Sequence, residues 1–173
     1  MIKKIYYLSF FILLLVLFRI IPHPPNFTPI IASSILAPLM LKSRIYGMLI
    51  PVTAMFISDI IIGFHAYQLV IYLTLVSISL VTTMNKSYPK LFLMAISGSV
   101  WFFIITNFAV WLSYDFYSKD IEGLLLCYTL AIPFFTNTLI STVLFTFLLA
   151  FFTKPVEIIN EKTDYYFKYI ISK

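Results

Sequence analysis

Long apolar runs alternate with short polar or proline-rich segments along the whole chain. Six of these runs are comparable to the length that a membrane-spanning helix needs, about 20 residues with a range of about 17–25. They cover Ile5–Ile21, Thr28–Leu41, Ile45–Ile62, Ala66–Met84, Leu91–Leu112 and Leu124–Phe152. The pattern predicts an all-α fold, an integral membrane bundle of six transmembrane helices that forms one domain over residues 1–152. Residues 153–173 mix charged and apolar positions, which predicts either an amphipathic helix along the headgroups or a frayed tail.

Two of the six segments need a further argument. Ile5–Ile21 follows Lys3 and Lys4 and is similar to a secretory signal, but the residues after it are bulky and proline-rich rather than small. We therefore interpret it as a first helix that the protein retains. Thr28–Leu41 has only about 14 residues. It can be accommodated by an inward tilt, by a partly re-entrant path, or by neighbouring helices that shield it.

The positions of lysine and arginine predict how the bundle is oriented. Six spans place ten of these residues on the side of both termini and only Arg19 and Lys119 on the other side. The positive-inside rule then predicts a multi-pass protein of the cell's inner (plasma) membrane with both termini in the cytoplasm. Apolar residues make up 61% of the chain and charged residues 11%, whereas soluble domains have about 25% charged residues. Because the positive charges are scattered, the net charge of +5 indicates topology and lipid contact, not nucleic acid.

With this orientation, polar and aromatic residues that are distant in sequence gather at the outer end of the bundle. Ionisable residues within or near membrane spans usually face the bundle interior and often mark functional sites. Their convergence predicts an outward-facing pocket that binds a small solute. The candidate substrate-binding residues are Arg19, His23, Asn26, Asp59, His65, Asn107, Trp111 and Asn137.

Each candidate also has a structural interpretation. Arg19 and Asp59 can pair to hold the first and third helices together, and the histidines can be ordinary loop residues. Asn107 and Asn137 are of the type that forms hydrogen bonds between helices, and Trp111 fits an interfacial aromatic belt. These alternatives stay open at the level of sequence.

Motifs of the common enzyme classes are absent from the sequence. The chain has no glycine-rich phosphate loop, no His-Glu-x-x-His zinc motif and no Gly-x-Ser-x-Gly nucleophile motif. Cys127 is the only cysteine, so a cysteine-cluster metal site and an intrachain disulfide are excluded. We therefore expect a protein that is not an enzyme and that uses neither a metal nor another cofactor.

Four stretches of the chain carry a resemblance to known proteins. They are Arg19-Ile-Ile-Pro-His23-Pro-Pro-Asn26-Phe-Thr-Pro29, Ser58-Asp59-Ile-Ile-Ile-Gly63-Phe-His65, Asn107-Phe-Ala-Val-Trp111, and Gly123-Leu-Leu-Leu-Cys127-Tyr128 with Ile132-Pro133-Phe-Phe-Thr-Asn137. Together they resemble a bacterial family of small transport proteins without an assigned substrate. That family is similar to the substrate-binding S components of energy-coupling factor (ECF) vitamin transporters. The resemblance extends from about Ile5 to Phe152.

The resemblance implies uptake of a vitamin-like or related small solute from the outside. S components have six helices and deliver their solute by toppling in the membrane against an ATPase-driven scaffold, so an ECF-type ATPase and scaffold module becomes a possible partner. Many S components dock that scaffold through an Ala-x-x-x-Ala pattern in the first helix. Ile5–Ile21 contains no alanine, so the chain departs from this docking pattern.

The main alternative is a structural protein. The rod-shape-determining MreD proteins are also small, have five or six spans and resemble S components in architecture. They act as membrane scaffolds of the cell-shape and cell-wall machinery and carry no solute. For a scaffold of this kind, Arg19, Asp59 and the two histidines are packing or partner contacts, and no outward pocket is needed.

Overall fold

The chain folds as a bundle of helices in the computed structural model. The structure describes residues 2–84 and 87–171, together with the side chains of residue 6, residues 8–84 and residues 87–152. All regular elements of this described part are α-helices: α1 (Ile2–Ile20), α2 (Ile30–Leu41), α3 (Arg44–Ile62), α4 (Gln68–Val81), α5 (Tyr88–Ser113) and α6 (Ile121–Ile171). The predicted all-α fold is confirmed for these residues. Lys86 and Lys173, which entered the charge count, lie outside them.

All six helices differ from the predicted segments at one end or both, and the differences in α2, α4 and α6 bear most on the fold. α2 begins at Ile30 because Pro29 occupies the position before its first turn. α4 has 14 residues and ends at Val81, because the backbone of the next residue, Thr82, leaves the helical conformation, with φ −50° and ψ 128°. α6 has 51 residues, and its backbone continues without interruption through most of the predicted tail to Ile171. Whether residues 153–173 are amphipathic stays a prediction, since their side chains lie outside the described residues.

The short helix α2 is the centre of the bundle. Ten of its twelve residues are buried, and it packs against α3, α4, α5 and α6. At 1.5 Å per residue it is about 18 Å long, which is less than the roughly 30 Å of a bilayer core. The packing favours shielding by neighbours among the three ways of accommodating a short apolar segment. Ser33 donates a hydrogen bond of 2.6 Å to the Ile30 carbonyl, so this polar group is satisfied within the helix.

The other helices surround α2 in a fixed order. α1 packs on α3, α3 on α4, α4 on α5, and α5 on α6. Phe18 of α1 meets Phe145 of α6 edge to face, with 5.3 Å between the ring centroids. The core between these helices includes Leu15, Ile35 and Leu75, each fully buried.

The outer surface of the bundle is apolar and indicates a membrane environment. Arg44–Ile62, Tyr88–Ser113 and Ile121–Phe152 are long and apolar enough to cross a membrane, with mean hydropathies of 2.0, 1.8 and 1.8. Ile30–Leu41 and Gln68–Val81 are shorter apolar helices, and Leu8–Ile20 is the apolar part of α1 whose side chains the structure describes. Large apolar side chains such as Phe10, Ile60 and Phe151 are more than 60% exposed. An apolar surface of this extent is suited to lipid rather than to water.

Candidate functional site

Two adjoining cavities lie at one end of the bundle, where α1, α3 and α5 end and α2, α4 and α6 begin. The first, the polar cavity, has a volume of about 340 Å³, and its polar lining residues are Arg19, His23, Asn26, Thr28, His65, Tyr67, Thr138 and Thr142. The second, the aromatic cavity, has a volume of about 360 Å³ and is lined on its own side by Phe103, Asn107, Tyr117, Cys127, Phe134 and Phe135, among others. The two cavities share the wall residues Asn26, Tyr67, Ile71, Phe102 and Thr138.

An ion pair forms part of the wall of the polar cavity. Arg19, in the last turn of α1, places Nη1 2.9 Å from Oδ1 of Asp59 in α3. The Asp59 side chain is 1% exposed and the Arg19 side chain 15%. Arg19 lines the cavity, whereas Asp59 lies behind it and does not. The predicted pairing is therefore present, and Asp59 acts on the cavity through Arg19.

Further hydrogen bonds hold Asp59 in place. The side chains of Gln68 and Tyr72, both in α4, donate to Oδ2, the bond from Tyr72 being 2.8 Å long. Oδ1 accepts no aligned hydrogen bond from the described residues, so its contact with Arg19 is ionic. Arg19 Nη1 also donates to Met55 Sδ. A buried carboxylate is stable only if it is paired and hydrogen-bonded, and α1, α3 and α4 together meet that need.

The two histidines lie in different loops and both line the polar cavity. His23 follows α1, and its Nδ1 lies 2.8 Å from the Pro24 carbonyl. His65 follows α3 and contacts the Tyr67 ring edge to face at 4.4 Å between centroids. Burial lowers the pKa of His65 below its ordinary value of 6.5; nearby Asp59 opposes this shift and Arg19 adds to it. His65 is therefore uncharged at neutral pH.

The lowered pKa of His65 predicts a loss of stability in mild acid. Below about pH 6.5 the unfolded chain binds a proton at this histidine more readily than the folded protein does, so stability falls as the pH falls. The melting temperature of the purified protein is expected to drop between about pH 7 and pH 5, and less so in His65→Gln. Equal drops in the two proteins would contradict this assignment of His65.

Asn107 belongs to the aromatic cavity rather than to the polar one. It lies in α5, where its Nδ2 donates a 2.8 Å hydrogen bond to the Phe103 carbonyl one turn earlier. The backbone carbonyl of Asn107 accepts a hydrogen bond of 3.5 Å from Cys127 Sγ of α6. The side-chain oxygen of Asn107 is positioned on a cavity wall, where it can accept a hydrogen bond from a ligand.

The loop between α1 and α2 covers the junction of the two cavities. Asn26 lies in the shared wall and has a left-handed backbone conformation, φ +62°, which asparagine tolerates better than most residues. Asn137 of α6 donates a 3.0 Å hydrogen bond to the Pro25 carbonyl, and Ser141 donates one of 3.5 Å to the Asn26 carbonyl. Asn137 thus ties the loop to α6 and lines neither cavity.

Trp111 also lies outside both cavity walls. Its Nε1 donates a 2.8 Å hydrogen bond to the Ser118 carbonyl, and Lys119 Nζ lies 5.8 Å from its ring centroid. Lys119 also donates to the carbonyls of Trp111 and Tyr114. These contacts hold the 114–120 loop against α5. Trp111 therefore positions this loop and does not contact a solute in either cavity.

Several cavity residues were not among the sequence candidates. Thr138 and Thr142 lie one turn apart on α6, and Phe102 and Tyr67 line both cavities. Thr138, Ser141, Thr142 and Thr146 are all buried, and their helical spacing repeats every three or four residues. This stripe of hydroxyls in an apolar helix was a readable signal of an inward face. Phe102 carried no such signal, because phenylalanine recurs throughout the chain.

Neither cavity wall offers a metal site. Among the described residues no group of three or more His, Cys, Asp or Glu could hold a metal ion. The walls instead combine hydrogen-bond donors and acceptors with aromatic rings, which is the composition of a site for a small organic molecule.

Comparison with known proteins gives a family for the chain. A family model, DUF6580, described as a family of unknown function, matches residues 1–160. The chain belongs to this family. No curated protein matches the chain. No solved structure matches it either.

Proposed function

We propose that the protein is a membrane transport protein, similar to an ECF S component, that binds a vitamin-like or related small solute for uptake. It resides in the bacterial inner membrane with six spans and both termini in the cytoplasm. The solute enters the polar cavity from the outside, and reorientation of the bundle then delivers it. The proposal assigns the protein no catalytic step.

The observation that carries this proposal is the construction of the polar cavity. All six helices contribute to its wall, including Arg19 from α1, Ile31 from α2, Met55 from α3, Phe102 from α5 and Thr142 from α6. Ile71 provides the contribution of α4. A wall that every helix shares links occupancy of the cavity to the arrangement of the whole bundle. This link is what a carrier that reorients around its solute requires.

Packing supports six spans although α2 and α4 are short. α2 lies inside the bundle, so its length need not match the bilayer where neighbouring helices shield it. The ten-to-two distribution of lysine and arginine also favours a crossing by α2, since removing that span leaves nine of these residues on one side and three on the other. An ECF-type ATPase module remains a proposed partner, which co-purification from native membranes tests directly.

The proposal is tested by thermal unfolding of the detergent-purified protein in a panel of vitamins and nucleobase-like micronutrients. A solute that binds only the folded state at about 100 times its Kd adds about 2.7 kcal/mol of stability. For a chain of this size that corresponds to an increase in melting temperature of roughly 5–10 °C. The double variant R19M/D59N removes the ion pair without leaving one charge buried alone, and it is expected to lose the shift.

The matched control is Asp115→Asn, a fully exposed carboxylate whose nearest lysine nitrogen is 3.9 Å away. This variant should keep the full shift, because an exposed ion pair contributes little. The absence of any shift across a broad panel would favour the MreD-like scaffold instead. In that case, cross-linking in native membranes should identify protein partners of the cell-wall machinery.

A further inference from the structure

We infer that the polar and aromatic cavities form one site in two parts, which takes an uncharged solute with a ring at one end and a hydrogen-bond acceptor at the other. The acceptor meets the hydroxyl of Thr142 and the ring lies among the phenylalanines of the aromatic cavity. This inference rests on the proposed function and adds the class of solute to it.

The charge of the walls favours an uncharged solute over an ionised one. Among the described residues, no carboxylate lines either cavity, and Arg19 is the only lysine or arginine in either wall. Asp59, 2.9 Å away and 1% exposed, already neutralises the Arg19 guanidinium. An anion would share Arg19 with a buried carboxylate, and a cation would meet no negative group on the wall. Since an unpaired charge is expensive to remove from water, a neutral solute is preferred.

Thr142 provides an observation that is independent of the charge of the walls. Its side chain lines the polar cavity and is 0% exposed, and its Oγ1 has no hydrogen-bond partner among the described residues. On the same helix the buried hydroxyl of Thr138 donates a 2.9 Å hydrogen bond to the Phe134 carbonyl, whereas that of Thr146, which lines neither cavity, also has no partner among the described residues. A buried hydroxyl without a partner is unfavourable unless a ligand supplies one. A carbonyl or ring-nitrogen acceptor on the solute would fill this need.

The aromatic cavity provides the other half of the site. The rings of Phe103 and Phe135 contact each other at a tilt of 41° with centroids 4.7 Å apart, and Phe103 also contacts the ring of Tyr128 edge to face at 5.4 Å. Edge and offset contacts of this type accept a further flat ring at similar spacing. Asn107, in the same wall, can accept a hydrogen bond from the ring edge. Because both cavities share Tyr67 and Phe102, a solute that extends past these residues occupies both.

A homologous series of probes tests this class of solute. The series consists of ω-phenylalkanamides with one to four methylene groups, the matching carboxylates, and alkyl amides of equal length without the ring. Dissociation constants are measured with the detergent-purified full chain. We expect one chain length of the phenyl amide to bind best. Its carboxylate should bind at least about tenfold more weakly, because its charge must be desolvated. The affinity for the alkyl amide should be about ten- to hundredfold lower, since the ring contact is missing.

Two pairs of variants assign the contacts. Thr142→Val keeps the shape of the side chain and removes the hydroxyl. It should weaken binding of the best amide about three- to tenfold. Thr146→Val is the control: it has an equally buried, unpartnered hydroxyl one turn along α6 but lines neither cavity, so binding should not change. Phe103→Leu should weaken the phenyl amides more than the alkyl amides. Phe108→Leu, outside both walls on the same helix, should affect neither.

The possible failures are distinguishable. Carboxylates that bind as tightly as the amides, or equal effects of Thr142→Val and Thr146→Val, would overturn the inferred solute class. If no probe binds while a micronutrient still raises the melting temperature, this inference fails and the proposed function stands. If neither probes nor micronutrients bind, both fail together.

Discussion

Replacing Arg19 alone with methionine is expected to lower the free energy of unfolding by about 3–5 kcal/mol. The reason is that Asp59, which is 1% exposed, would be left as a buried carboxylate without its cation, with only Gln68 and Tyr72 as donors. Thermal unfolding of the purified variant, followed by size-exclusion chromatography, measures the loss. The double variant R19M/D59N should recover most of it, because no charge then remains buried alone.

The comparison between single and double variants separates an ion pair from simple packing. If Arg19 served only as a long side chain over Met55, the double variant would be no more stable than R19M. Equal stability of R19M and R19M/D59N would therefore contradict the account given for the pair. Asp115→Asn again serves as the control and is expected to change stability by less than about 0.5 kcal/mol.

Replacing Gly47 with alanine should prevent α2 and α3 from packing as they do. A Cβ at Gly47 would lie 2.4 Å from both Cα and N of Pro38, and these backbone atoms cannot move without displacing the central helix. Overpacking of a core usually lowers stability by about 1–3 kcal/mol. Because this clash is with backbone atoms, we expect a loss of stability of about 3 kcal/mol or more. The yield of monodisperse protein and the melting temperature report the effect.

Gly98→Ala is the matched control, since Gly98 is also a buried glycine within a long helix. Its Cβ would meet only side-chain atoms of Ile31, Ile35 and Ile78, at 3.6–3.7 Å, which is ordinary contact. Because alanine favours a helix by about 1 kcal/mol over glycine, this variant should be as stable as the wild type or more so. A Gly47→Ala protein with the stability of Gly98→Ala would show that α2 and α3 are not in the close contact described.

The helices could be read from the sequence because long apolar runs bounded by prolines and charges leave few alternatives. The clustering of Arg19, His23, Asn26 and His65 was also predictable, since their positions at the ends of runs bring them to one end of any six-helix bundle. The central place of α2 was not predictable, because a uniformly apolar helix has no face that marks its neighbours. Only its contacts with four helices show that neighbours shield this short helix.

The different roles of the candidate residues could be assigned only from the positions of their side chains. From the sequence, Asp59, Trp111 and Asn137 were equivalent to Arg19 as solute contacts. In the structure, Asp59 pairs with Arg19 behind the wall, Trp111 holds a loop, and Asn137 ties the α1–α2 loop to α6. The aromatic cavity went unrecognised because its phenylalanines are indistinguishable in sequence from those that face lipid. Which of two faces an aromatic residue occupies depends on packing angles that a uniformly apolar pattern does not encode.

The most direct test of a solute-binding cavity replaces Cys127, the only natural cysteine of the chain and only 2% exposed, with serine and introduces Val110→Cys, a reactive thiol at a half-buried position of the aromatic cavity wall. The rate at which N-ethylmaleimide modifies this thiol is measured by mass spectrometry in the purified protein, with and without a solute that raises the melting temperature. If the solute occupies the cavities, then at about ten times its Kd about one site in ten is empty, and the rate should fall about tenfold. An unchanged rate would show that the solute binds elsewhere and would contradict the account of these cavities as the binding site.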